Sequence, residues 1–486
     1  MATPTSRVIP VLELFLQHPN TALDAASLCS LLCSSKAVRA AAQQAGGPCT
    51  SICVNGNAMS DWQVASPTLT SLTWSLQRDY KSGSVLSGKL AGALASLTNL
   101  RQLHLKGDGE REDHYQGELL APVAALTQLT LLQISSICVS LGQLEQLPAS
   151  LQQLELPHCY IDDDDDDAGE ARVFRLSHLT CLTHFTLVLD CENNGRSSDS
   201  WQLPLQLLEL TAGCGENSME PILPRLGGVS ALQQLRRLLL CCCFEAQQDL
   251  LALTGLSALT DIELRYYEDL IGLQTSAWAQ LPQLHSLHVE ILNGDFDDGE
   301  GFQGVMAGIT AAISLRRLHL DLREGAYASD MRPELFGYLT GLRQLQELCV
   351  RARHTTPVST ESDAAAIMQL TALTGLTQLK VSAWAAGDVG AAVLACGLPQ
   401  LRKLKLYYAS IESRAALLAI GKLSQLQHPD VRRNAFGDGE CLQLLTQLCA
   451  LTRLDLASKD GKRPTKQQMA SFWAAVRGAQ QQGAQP

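Results

Sequence analysis

From residue 69 to residue 456 the chain returns again and again to one arrangement of apolar positions, Leu-x-x-Leu-x-x-Leu-x-Leu. It stands almost unaltered as Leu97-Thr-Asn-Leu100-Arg-Gln-Leu103-His-Leu105, Leu256-Ser-Ala-Leu259-Thr-Asp-Ile262-Glu-Leu264, Leu373-Thr-Gly-Leu376-Thr-Gln-Leu379-Lys-Val381 and Leu398-Pro-Gln-Leu401-Arg-Lys-Leu404-Lys-Leu406. The second-to-last apolar position marks each of 14 copies: Leu72, Leu103, Leu132, Leu154, Phe185, Leu208, Leu238, Ile262, Leu287, Leu318, Leu348, Leu379, Leu404 and Leu454. Successive markers lie 22 to 31 residues apart, except for a last gap of 50 that a worn copy (Leu423, Leu426, Pro429, Val431) divides into two of 25. The Leu-x-Leu end has the period of a strand, and the earlier leucines turn into the same core. One repeat cannot cover its own apolar face, so neighbours must stack as a solenoid.

A second period fills the intervals. Residues 118–126, 389–396 and 414–421 are rich in Ala and Leu and predict one or two helical turns each. Alternating strand and helix makes the strands parallel. Helices are wider than strands, so one per repeat on the outside bends the array into an arc with the strands on its concave side. With about 1.5 to 3 kcal/mol per buried leucine, such a core needs neither disulfide nor metal.

The motif, copied this often, resembles the leucine-rich repeat family over about 80% of the chain. The resemblance implies an α/β solenoid of about 15 repeats over residues 66–460, with a parallel concave sheet, convex short helices and a helical cap at each end. Members of the intracellular, cysteine-containing subclass continue Leu-x-Leu-x-x-Cys/Asn. Leu154-Glu-Leu156-Pro-His-Cys159 and Leu238-Leu-Leu240-Cys-Cys-Cys243 match, and Asn434 holds that place in the worn copy. Asp108, Ile137, Tyr267, Arg323, Arg353, Trp384 or Ala409 occupies it elsewhere, which predicts an uneven ladder.

Composition narrows the function. The 16 cysteines are scattered, which argues for free thiols in a reducing compartment, cytoplasmic or nuclear. Neither a signal peptide nor a membrane span is read. A net charge of −12 argues against nonspecific nucleic-acid binding. Phosphate-loop, nucleophile-elbow and dinucleotide motifs are all missing, so the expectation is a non-enzymatic protein without cofactor or metal, bound to a protein partner. Asp162–Asp167 reads as a solvated loop, and the calcium-like run from Asn293 has its Gly one residue late and Gly304 where Glu is needed. The Cys29/Cys33 and Cys49/Cys53 pairs lack a matching pair at zinc distance. His104, His288 and His319, about 30 residues apart or more, read as surface histidines without a repeated carboxylate partner.

Residues 1–48 depart from the repeat and end in the breaker Gly46-Gly47-Pro48. Ile9-Pro10, then Leu23-Asp24, Leu28, Leu31, Leu32 and Ser35-Lys36-Ala-Val38-Arg39 have helical apolar spacing. Their order resembles the F-box, although Val38 stands where Trp is usual and Val11 and Leu12 replace acidic residues. That resemblance implies docking to the adaptor of a cullin-type ubiquitin ligase through Ile9, Pro10, Leu23, Leu28, Leu31, Leu32 and Lys36. The alternative is a helical cap over the first repeat, in a plain scaffold or regulatory binding protein.

On the predicted concave face, Arg351, Lys380, Lys403 and Lys405 come onto neighbouring strands beside Tyr407, a seat for an acidic or phosphorylated segment. At the far end Met469, Phe472, Trp473 and Val476 make the apolar stripe of a capping helix over residues 465–478, followed by a disordered tail, 479–486.

Overall fold

The structure, a computed structural model, describes residues 51–55, 69–75, 94, 97–107, 120–162, 173–189, 200–214, 228–241, 251–266, 276–293, 306–324, 335–352, 367–382, 386–436, 439–458 and 461–483. The F-box-like segment, from Ile9 to Arg39, lies outside them. Two compact units divide the chain, Met1–Leu235 and Arg236–Pro486.

The first unit carries β1 (Ser51–Asn55), β2 (Ser71–Ser75), β3 (Gln102–Lys106), β4 (Leu131–Ser135), β5 (Cys138–Ser140), β6 (Gln153–Asp162), β7 (Val173–Arg175), β8 (His184–Leu189), β9 (Ser200–Gln202) and β10 (Glu209–Cys214). Seven of these pair in parallel in the order β1-β2-β3-β4-β6-β8-β10. β5 adds to β6, while β7 and β9 form a separate parallel pair. Leu72, Leu103, Leu132, Leu154 and Phe185 follow one another in register. On the next strand the partner of Phe185 is Leu210, and the marker Leu208 is corrected by two residues. The cause is Ala212, which fills the last core slot at 1% exposure and is too small to announce it in the sequence. β1 is an added strand ahead of residue 66, with Ile52 beside Leu72 and Val54 beside Trp74.

In the second unit eight strands follow in chain order, all parallel: β11 (Arg237–Cys241), β12 (Asp261–Tyr266), β13 (Ser286–Asn293), β14 (Arg317–Glu324), β15 (Glu347–Ala352), β16 (Gln378–Ser382), β17 (Lys403–Tyr407) and β18 (His428–Asp430). The markers from Leu238 to Leu404 form one continuous row that ends on Pro429. Single bridges, Asp430 to Asp455 and Asn434 to Ser458, carry the stacking into the last copy. Each unit therefore has the leucine-rich repeat fold.

Each Leu-x-x-Leu is a tight turn. The amide of the second leucine donates to the carbonyl of the first, as from Leu100 to Leu97 at 3.0 Å and from Leu376 to Leu373 at 3.0 Å. Both leucines thus point inward before the strand begins, and its alternation buries Leu404 and Leu406 while Lys403, Lys405 and Tyr407 stay half-exposed. The return segments are one 3-10 turn, such as Ala121–Ala125, or short helices: α1 (Leu141–Leu144), α2 (Ser276–Ala279) and α3 (Leu335–Leu339). Among the described return segments α4 (Gly387–Gly397), α5 (Arg414–Gly421) and the 3-10 helix Gly439–Leu445 reach two turns or more. Ser413 starts α5 by accepting from the Ala416 amide at 3.2 Å.

Beyond the strands, Ser136, His158, Tyr408 and Arg433 take left-handed backbone angles at the same point of four repeats and turn the next residue inward. There the Cys159 thiol donates to the Ile134 carbonyl at 3.1 Å, and Asn434, fully buried, caps the turn of its neighbours. α6 (Lys466–Gly483) closes the second unit. Thr465 and Gln468 cap it reciprocally, with the Thr465 amide donating to Gln468 Oε1 at 2.8 Å and the Gln468 amide to Thr465 Oγ1 at 3.2 Å. Phe472 and Val476 are buried, and Gln480 Nε2 donates to the Leu451 carbonyl at 3.2 Å. The helix runs five residues past 478, so residues 479–483 are helical where a disordered tail was expected. Among the described residues no helix is long and apolar enough to cross a membrane, and Cys159, Cys181, Cys241, Cys349, Cys396, Cys441 and Cys449 are free thiols.

Candidate functional site

Because the strands of the second unit pair without slippage, outward residues of successive repeats line up in rows. The middle row runs Leu239, Glu263, His288, His319, Cys349, Lys380, Lys405 and Asp430. A row on one side includes Asp261, Arg317, Glu347 and Lys403, and a row on the other includes Arg265, Glu290, Asp321, Arg351 and Tyr407.

Charges on β11 to β14 pair with one another or with β15. Glu263 holds Arg265 at 2.9 Å, His288 at 3.5 Å and Arg237 at 3.6 Å. The hydrogen bond from His288 and the contact with Arg265 overcome burial and pull the Glu263 carboxyl down to about 2. Arg265 also reaches the buried Glu290 at 3.1 Å, and Arg317 pairs with Asp261 at 2.9 Å. His288 and His319 meet edge to face with ring centroids 5.5 Å apart. His319 lies 3.3 Å from Glu347, whose carboxyl it holds below the usual range. His288 and His319, two of the three histidines that seemed isolated in the sequence, are therefore adjacent, and each has a carboxylate. A separation of 31 residues is one repeat, and that was the signal to use.

On β15 to β18 the balance differs. Arg351 is 3.2 Å from Asp321, so this member of the expected basic seat is already paired. Arg432, which sequence reasoning passed over because it follows the worn copy, grips the buried Asp430 through two contacts of 2.8 Å. Its guanidinium also lies 5.7 Å from the centre of the Tyr407 ring, and Tyr408 meets Tyr407 edge to face at 4.9 Å. Lys380 and Lys405 are direct cross-strand neighbours, and Lys403 precedes Lys405 by two positions on β17. Among the described residues no carboxylate lies within ion-pair distance of these three lysines. Burial, reinforced by Arg351 and Lys405, pushes the Lys380 ammonium below its ordinary pKa against an opposing effect of Cys349. Burial in turn raises the pKa of the Cys349 thiol.

Gln102, His104 and Lys106 lie on β3, where His104 Nδ1 is 2.7 Å from Gln133 Oε1. Residues 163–167 and 294–304 and the two Cys-x3-Cys pairs, apart from Cys53 on β1, lie outside the described residues. Among the described residues no group of three or more His, Cys, Asp or Glu is placed to hold a metal ion.

No protein-family model and no curated protein matches this chain. The solved structures it is similar to include two leucine-rich repeat proteins. One is an internalin from Listeria monocytogenes, at 20% identity and a TM-score of 0.39 over 75% of this chain and 83% of that one. The other is TLR13 in a complex with ssRNA13, at 17% identity and a TM-score of 0.45 over 84% of this chain. This chain covers 54% of that one. The fold assignment stands on the strand ladder of the chain itself.

Proposed function

We propose that this chain is a non-enzymatic interaction module that seats an acidic surface of a protein partner on the outward face of β15 to β18, through Lys380, Lys403 and Lys405 beside Tyr407 and Arg351. One observation carries the reading: on a sheet face whose arginines are paired, three lysines on adjacent strands have no carboxylate partner among the described residues, in a protein of net charge −12. Like-charged neighbours raise the local potential, which attracts an anionic partner and speeds its arrival. The test compares proteins recovered by the intact chain with those recovered by Lys380→Glu/Lys403→Glu/Lys405→Glu, quantified by mass spectrometry. The charge-reversed chain is expected to lose its principal partner while melting at the same temperature. Equal recovery by both would sink the reading.

A finer reading makes the chain a substrate receptor of a cullin-type ubiquitin ligase. Its support is the order of Ile9, Pro10, Leu23, Leu28, Leu31, Leu32 and Lys36 alone. Adaptor and cullin subunits should then come down with the full chain and disappear with a chain starting at Gly47. If neither brings them down, residues 1–48 act as a cap over the first repeat and the protein is a scaffold or regulatory binder.

A further inference from the structure

Resting on the reading above, we infer that the lysine seat takes a phosphomonoester, a phosphorylated side chain of the partner, in preference to a carboxylate. The argument begins with charge. Among the described residues five cations, Arg351, Lys380, Lys403, Lys405 and Arg432, and three carboxylates, Asp321, Glu347 and Asp430, stand around the seat. Asp321 is paired with Arg351 and Asp430 with Arg432, and Glu347, which feels the charge of Lys403, offsets one of the three lysines. An excess of two positive charges remains, and it falls on the lysines. One carboxylate neutralises half of it, whereas a phosphomonoester at pH 7 carries about −1.5 to −2 charges and matches it.

Geometry supports the same ligand. Neighbouring strands lie about 4.8 Å apart and alternate residues of one strand about 6.8 Å apart, so Lys380, Lys405 and Lys403 root at the corners of a small triangle. Three ammonium groups on flexible stems converge on a tetrahedral group from three sides, and a phosphoryl group offers three acceptor oxygens where a carboxylate offers two. The two arginines that could grip a planar carboxylate in two-point fashion are held by Asp321 and Asp430. Lys380 is half-buried and repelled by Arg351 and Lys405, so an incoming dianion relieves an electrostatic cost these neighbours impose.

The test passes three peptide libraries over the immobilised full chain, identical in their degenerate flanks and fixed at the centre as phosphoserine, glutamate or serine. The phosphoserine library is expected to be retained about tenfold or more above the glutamate library. Lys380→Gln/Lys405→Gln should remove that preference, while Lys422→Gln, an exposed lysine on the loop after α5, should keep it. Equal retention of glutamate and phosphoserine, both lost in Lys380→Gln/Lys405→Gln, overturns the phosphate inference and leaves an acidic-partner seat standing. Retention unaffected by Lys380→Gln/Lys405→Gln, or absent for all three libraries, overturns the inference. Charge reversal in the partner-recovery comparison then decides the broader reading by itself.

Discussion

Asn434 shows how much one side chain can hold in a repeat. Its Oδ1 accepts from the amides of Ala409 and Ile411, both at 3.1 Å, and its Nδ2 donates to the carbonyls of Leu406 at 2.7 Å and Val431 at 3.0 Å. All four backbone groups sit where the chain leaves a strand and cannot pair with the sheet. Asn434→Ala strands two buried amides, each costing about 1 to 3 kcal/mol, so the unfolding free energy should drop by about 3 kcal/mol in urea titration. A loss below about 1 kcal/mol would mean that water replaces the amide. This residue was legible in the sequence, because a Leu-x-Leu-x-x-Asn pattern asks for an amide at that point. Arg432 was not legible, since nothing in Pro-Asp-Val-Arg tells a surface arginine from one clamped on a buried carboxylate two residues earlier.

At the level of elements, register was legible wherever large leucines fill every core slot and failed where one slot is small. Leu207-Leu208-Glu-Leu210 offers two registers two residues apart, and the one observed pairs Leu210 with Phe185 and buries Ala212. Register also brought Glu263, His288 and His319 together across three strands, which gives the ladder a pH dependence. The Glu263 carboxyl lies near 2 when folded against an ordinary 4.5. Its folded pKa is depressed, so its contribution is complete above pH 4.5 and is lost as the pH falls toward 2, an effect on the order of 3 kcal/mol. Glu263→Gln should flatten the fall in melting temperature between those values. An unchanged slope would put the acid sensitivity on other carboxylates, such as Glu347.

For the molecule as a whole, the repeat period told how many strands stack but not where stacking starts or ends. β1 escaped because Ser-Ile-Cys-Val-Asn has the alternation of a strand without the preceding Leu-x-x-Leu turn. The end of the second unit was readable, since Met469, Phe472, Trp473 and Val476 recur at helical spacing. Ends matter because a repeat array has no central core: each repeat is held by its neighbours, and the last is held by α6. Val476 is fully buried, so Val476→Asp places a charge in the contact between α6 and the last repeat. With coupling only between neighbours, hydrogen exchange should speed first in residues 428–458, then in β17 and β16, while β11 to β13 keep their protection. Uniform loss across β11 to β18 would show instead that the second unit opens as one cooperative body, and a partner seated on β15 to β18 would then stabilise every strand of it equally.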